Sequence, residues 1–222
     1  MSISENIKKL KAVIPDHVEI IAVSKRKPMV DIMQAYEAGH RIFGENRVQE
    51  LIEKQPLLPG DINWHMIGHL QTNKVKYIAP FVGMIHSVDS LKLLLAIDRE
   101  AAKNDRIIPV LLQVHIADEE NKFGFSEDEL HSLFDSPEFS VIKNISIDGL
   151  MGMATYTEDL EKIRSEFRCL GEIFSRVKNA YFAGSDHFRH ISMGMSGDYE
   201  IAIEEGSTMI RVGTVIFGER TY

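Results

Sequence analysis

A (β/α)₈ TIM-type barrel is the fold class this sequence predicts, and two observations predict it. Short apolar runs alternate with helical stretches along all 222 residues, the rhythm of βαβ units and hence of a parallel sheet. Several runs are apolar throughout, as in Ile20-Ile21-Ala22-Val23 and Val110-Leu111-Leu112, which is how strands covered on both faces read. Counting about eight runs, each followed by a helix or the chain end, favours a closed barrel over an open doubly wound sheet.

In order along the chain, an extra N-terminal helix over residues 2–14 precedes the barrel and lies against its bottom or side. Strand candidates follow at 20–24, 41–44, 63–67, 84–87, 109–116, 145–151, 190–193 and 209–216. Between them apolar residues recur at helical spacing: Val30, Met33 and Ala38; Leu91, Leu94 and Leu95; Ile163, Phe167 and Leu170. The amphipathic stretch 160–177 carries Cys169, expected as a small packing residue. A short helix is expected at 199–205. No Pro/Gly/Ser-rich linker, low-complexity tract or strong internal repeat interrupts the chain, so residues 1–222 read as one domain.

Composition narrows the function. Hydrophobic residues make up 44% and charged residues 26%, which excludes disordered and fibrous classes. Lysine plus arginine total 25 against 33 acidic residues, a net charge of −8, unlike a general nucleic-acid binder. With one cysteine there is no internal disulfide and no cysteine metal cage, and a reducing compartment fits best. The first residues lack the apolar core of a signal peptide, and no run approaches the roughly 18 apolar residues of a membrane span. The expectation is a soluble cytoplasmic protein with no nucleic-acid or membrane partner.

In a parallel barrel, functional residues sit where strands end. Lys25 follows the first strand, so its stem begins inside the mouth. Low-dielectric walls and the neighbouring cations Arg26 and Lys27 favour the neutral amine, the nucleophile of Schiff-base chemistry; the alternative is a solvated lysine flanking a strand. Near the end of the chain, Ser192-Met193-Gly194-Met195-Ser196-Gly197-Asp198 precedes a helix, and Gly213-Thr214 follows on the last strand. Barrels often seat a phosphate between these two loops, although Ser196 and Asp198 could equally cap the helix. Arg211 shares a strand face with Gly213. It is either an interior cation near that phosphate or an outward arginine paired with a helix carboxylate.

The nine histidines tempt a metal reading. His65 and His69 straddle a strand end and His187 and His190 are three apart, but no HExxH motif occurs and most read as satisfied structural histidines, with no metal site. Glu119-Glu120-Asn121-Lys122 reads as a solvated loop. Walker, Rossmann and nucleophile-elbow motifs are absent.

Six ordered motifs carry a resemblance. They are Ala22-Val23-Ser24-Lys25; Phe43-Gly44-Glu45-Asn46 with Gln49-Glu50; the run from Trp64 through His69 to Lys74; Gly149-Leu150-Met151; Ser192-Met193-Gly194-Met195-Ser196; and the run from Arg211 to Arg220. On these the chain resembles the pyridoxal phosphate homeostasis proteins (the YggS/PROSC family), whose domain is similar to the N-terminal barrel of alanine racemase. The resemblance implies pyridoxal 5′-phosphate (PLP) as cofactor, held as an aldimine on Lys25. It places Asn46, His69, Ser192 and Met193 around the ring, gives the phosphate to Ser196, Gly213 and Thr214, and sets Arg211 at the pyridine nitrogen. An arginine there disfavours a protonated ring and makes a poor electron sink.

The chain departs from the family pattern at His115, where an asparagine is usual. Unlike alanine racemase, it stops at Tyr222 soon after the eighth strand, without the β-domain that supplies the second racemase base. The expected function is storage and delivery of PLP, affecting amino- and keto-acid metabolism, without catalytic turnover. Apo PLP-dependent enzymes are the acceptors, and the protein is a monomer. The alternatives are a weak PLP-dependent amino-acid racemase, with Lys25 as base and His69 or a water as its partner, and a phosphosugar or phosphate-ester barrel enzyme using Lys25 on its substrate.

Overall fold

The computed structural model describes residues 2–118 and 123–219; the run 119–122, expected as a solvated loop, lies outside them. Ser2 opens helix α1 (Ile3–Val13) with a capping box: its hydroxyl accepts from Glu5 N–H while the Glu5 carboxylate accepts from Ser2 N–H. Ile7 and Leu10 on one α1 face are buried. α1 packs on α2 (Met29–Glu37) and α9 (Thr214–Phe217), so the extra helix lies on the barrel's side.

Eight parallel strands close in sequence order: β1 (Glu19–Val23), β2 (Ile42–Glu45), β3 (Asn63–Met66), β4 (Met84–Val88), β5 (Ile108–Gln113), β6 (Ile145–Met151), β7 (His190–Ser192) and β8 (Met209–Val212). The intervening helices are α2, α3 (Val48–Lys54), α4 (Val75–Ile78), α5 (Leu91–Lys103), α6 (Glu127–Phe134), α7 (Leu160–Tyr181) and α8 (Tyr199–Glu204). Closure pairs Ile21 with Arg211 and Ala22 with Val212. Period-two alternation then divides each strand between two cores. Ile21, Val23, Ile67, Met84, Leu111, Met151 and Met209 fill the barrel, while Ala22, Phe43, Trp64, Met66, Val110 and Leu112 join the larger layer under the helices. Gly44 is small because a Cβ there would come within 2.7 Å of Ile21 Cγ2 and 2.9 Å of Ile67 Cδ1.

Four expectations are corrected. β8 stops at Val212 rather than running to 216. Gly213 turns into αR and its carbonyl accepts from Ile216 and Phe217 N–H, so the β-branched run Thr214-Val215-Ile216 forms α9 and packs against α1. Tertiary packing there overrides β-propensity. β5 ends at Gln113, with only a single bridge from Val114 to Phe125 beyond it. The last long helix continues past 177 to Tyr181, whose ring packs 4.6 Å from that of Phe134. Cys169 is exposed rather than packed: α7 buries Ile163, Phe167, Leu170, Ile173, Phe174 and Val177, and Cys169 projects from another face. Among the described residues no helix is long and apolar enough to cross a membrane.

Candidate functional site

The C-terminal ends of the strands surround a cavity of about 650 Å³. Ser24 N–H donates to the Gly44 carbonyl and extends the β1–β2 ladder by one residue. Lys27 N–H then donates back to the Ser24 carbonyl. The resulting turn sets half-buried Lys25 on the cavity wall. Asn46 from the end of β2, Ser196 from the loop after β7, and Arg211, Gly213 and Thr214 from β8 and its turn line the same cavity. Residues nominated from four separate stretches thus share one space.

Three nominated residues stand elsewhere. Ser192 is buried below Arg211, and Met193 is buried in the layer under the helices. His69 does not line the cavity: its side chain is 57% exposed, and its Nδ1 lies 3.2 Å from Asp89 Oδ2. His115 is half-buried in the loop after β5.

Arg211 is an interior arginine, only 4% exposed. It donates to Ser192 Oγ at 2.6 Å and to the Gly152 carbonyl at 3.0 Å. Among the described residues no carboxylate hydrogen-bonds it. Burial brings its pKa down to about 10, while Asp198 pulls the other way through space. Below it a polar chain crosses the barrel: Ser192 Oγ lies 2.9 Å from His86 Nδ1, and His86 Nε2 lies 2.9 Å from His65 Nδ1. Burial keeps both histidines neutral, pushing His65 down to about 3 and His86 well below the usual imidazole range. These two are satisfied structural histidines, as expected; His190 differs, because its buried Nδ1 has no hydrogen-bond partner.

Two residues past Arg211, Gly213 N–H donates to Ser196 Oγ at 3.2 Å. A Cβ on Gly213 would stand 3.1 Å from the Val23 carbonyl oxygen, so glycine lets β8 approach β1 closely. The capping expectation for α8 is corrected here: neither Ser196 nor Asp198 gives it a side-chain cap. Asp198 sits at the cap position, but its carboxylate accepts from Met195 N–H and ties down the loop. Burial pushes that carboxyl up.

Two groups had no role in the sequence reading. The rim from Met153 to Thr157 lines the cavity, and buried Glu166 on α7 anchors it by accepting from Thr155 N–H and Thr155 Oγ–H, each at 2.7 Å. Reading three residues past the end of β6 would have found the rim. The second group, Glu45, Glu50 and Lys54, packs behind the Lys25 turn. Burial pushes the Glu45 carboxyl up against the pull of Lys54.

The site therefore combines a primary amine, an interior cation that no carboxylate among the described residues hydrogen-bonds, and a hydroxyl–glycine pair. Asn46 Oδ1, buried and without a hydrogen-bond partner among the described residues, adds an unmet acceptor. This donor set fits a small phosphorylated pyridine aldehyde: the amine for its carbonyl carbon, the guanidinium for its ring nitrogen, the hydroxyls and glycine amide for its phosphate.

Comparison with known proteins identifies the family. The family model described as alanine racemase, N-terminal domain, matches residues 1–221. A pyridoxal phosphate homeostasis protein of Aquifex aeolicus is 41% identical over 206 residues, 92% of this chain and 88% of the relative. One of Synechocystis is 39% identical over 94% of each chain. The structure of PipY of Synechococcus elongatus with PLP bound superposes with a TM-score of 0.88 at 36% identity, covering 98% of this chain and 100% of that one. An alanine racemase of Clostridium difficile, at 16% identity, shares the fold with a TM-score of 0.75, covering 100% of this chain and 56% of its own. The chain belongs to the family of pyridoxal phosphate homeostasis proteins, on the barrel of the alanine racemase N-terminal domain.

Proposed function

We propose that this protein binds PLP through Lys25 and stores and delivers it in the cytoplasm, affecting amino- and keto-acid metabolism, as a monomer without catalytic turnover. The observation that carries the reading is Arg211: a buried arginine that no carboxylate among the described residues hydrogen-bonds, on the wall of the cavity that Lys25 also lines. When bound, the cofactor supplies an aldehyde that condenses with the Lys25 amine, forming a C=N bond and releasing water. Ser196, Gly213 and Thr214 hold its phosphate, Arg211 meets its ring nitrogen, and Asn46 offers Oδ1 as an acceptor. Of the other residues that the resemblance sets around the ring, Ser192 acts through Arg211, while His69 and Met193 stand off the cavity wall.

Arg211 donates and does not readily give up a proton, so it holds the ring nitrogen unprotonated. A ring kept that way withdraws electrons weakly, which suits storage and release to apo PLP-dependent enzymes better than turnover. The test is direct. Borohydride treatment of the yellow protein should fix the cofactor on Lys25, located by peptide mass, and Lys25→Ala should be colourless. Arg211→Glu should shift the absorption maximum. A protein that takes up no PLP would sink the reading, and racemisation of alanine well above the Lys25→Ala level would remove its non-catalytic part.

A further inference from the structure

We propose that Glu50 and Lys54 are positioning residues for Lys25, holding the Ser24–Lys27 turn in the conformation that brings the Lys25 side chain to the cavity. The inference rests on the PLP reading above and adds residues that do not line the cavity.

The turn is closed by Lys27 N–H on the Ser24 carbonyl, and its third residue, Arg26, has φ of 60°. That left-handed conformation is disfavoured for any side chain with a Cβ, and turns of this form usually place glycine or asparagine there. An arginine stays there only if something outside the turn holds it. Glu50 Oε2 accepts from Arg26 N–H at 2.7 Å, fixing the residue after Lys25. Lys54 Nζ donates to the Ser24 carbonyl at 2.9 Å, fixing the residue before it. The same ammonium reaches Glu45 Oε1 at 2.7 Å and Glu50 Oε2 at 3.1 Å, so all three of its N–H donors are engaged. Glu45 Oε1 also accepts from Ser24 Oγ–H at 2.7 Å. Glu50 and Lys54 stand one turn apart on α3, and a single helix therefore grips both sides of the residue that carries the amine. Lys54 is 8% exposed and Glu45 fully buried, which shields the grip from solvent competition.

The experiment uses the full chain, with PLP as the probe. Glu50→Ala removes the acceptor for Arg26 N–H, and PLP affinity by absorption titration should fall about tenfold, the ratio that ~1.4 kcal/mol of unsupported left-handed preference gives. Glu50→Gln keeps an acceptor oxygen and should bind near the parent level. Adding Arg26→Gly to Glu50→Ala should restore affinity, because glycine adopts positive φ freely; a purely structural role for Glu50 would not be rescued that way. Amide exchange supplies an arm independent of PLP and of any variant. Arg26 is exposed, so slow exchange of its N–H in the apo protein reports the Glu50 contact. Parent-like affinity in Glu50→Ala, failure of the glycine rescue, or an unprotected Arg26 amide would each overturn the proposal. Failure of the parent protein to take up PLP would instead overturn the functional reading, with the exchange measurement still testing the grip.

Discussion

Replacing Arg211 by methionine should stabilise the empty protein while weakening its hold on PLP. Arg211 is 4% exposed and retains its proton only to about 10, with burial the main cause. Against an ordinary value of 12.5, and at ~1.4 kcal/mol per pH unit, the charged form loses about 3 kcal/mol by being in the fold. Methionine removes that penalty and fills similar space. The substitution also strips the Gly152 carbonyl of its donor, at about 1–3 kcal/mol if no water replaces it, while Ser192 keeps its contact with His86. The balance is a gain of between zero and about 2 kcal/mol, an upward shift of a few degrees in Tm for a chain of this size. For PLP, loss of a charge-assisted contact worth about 1.5–3 kcal/mol predicts roughly ten- to a hundredfold weaker binding. Thermal unfolding of apo and PLP-loaded samples reads both effects. A fall in apo Tm of more than about 4 °C, or unchanged PLP affinity, would refute the view that a stability cost is held at this position for the ligand.

Acid should unfold the protein through its buried histidines. Burial lowers His40 and His190 to about 4 and His65 to about 3, and takes His86 down as well. The unfolded chain binds protons from 6.5 downward while the fold resists until near 4, so stability is complete above pH 6.5 and declines by up to about 1.4 kcal/mol per histidine per pH unit below it; equal urea midpoints at pH 7 and pH 5 would contradict this. Gly149→Ala should cost about 3 kcal/mol or more, because Gly149 has φ of 153° and a Cβ would stand 1.8 Å from the His190 carbonyl oxygen; a parent-like urea midpoint would refute it. Glu166→Ala should speed amide exchange at Thr155 and weaken PLP binding severalfold by loosening the cavity rim, and unchanged exchange there would show that Glu166 does not anchor it.

The barrel was legible because alternation and strand count are local signals that eight strands repeat. Its ends were less so: Thr214-Val215-Ile216 reads as strand by propensity, and only packing against α1 makes it helix. Lys25, Ser196, Arg211, Gly213 and Thr214 could be nominated because a parallel barrel brings all strand ends to one face, whereas Asn46 came from the resemblance. His69, nominated by the resemblance, shows that a residue in the right loop can still face solvent beside Asp89. The Glu50–Lys54 grip was invisible for a different reason. Their spacing reads as an ordinary surface helix pair, and nothing local reveals that the helix is laid against the turn after β1. Cys169 misled because amphipathic spacing marks a face only to within a residue or two.

The interior polar chain makes a further prediction about proton placement. Arg211 can only donate, so its 2.6 Å contact takes a lone pair of Ser192 Oγ. The Ser192 hydroxyl proton is then free to go to His86 Nδ1. That makes Nδ1 of His86 an acceptor and puts the ring's proton on Nε2, from which it donates to His65 Nδ1. His65 in turn carries its proton on Nε2. Every dipole in this series presents its negative end toward the guanidinium. The chain thus solvates the cation without cancelling its charge, whereas a carboxylate at the place of Ser192 would screen it from the cavity. Long-range proton–nitrogen NMR correlations on the apo protein should show both imidazoles neutral with hydrogen on Nε2. A proton on His86 Nδ1 would turn the positive end of that imidazole toward Ser192 and Arg211, and the account of how the barrel keeps its charge available to an anionic ligand would fail.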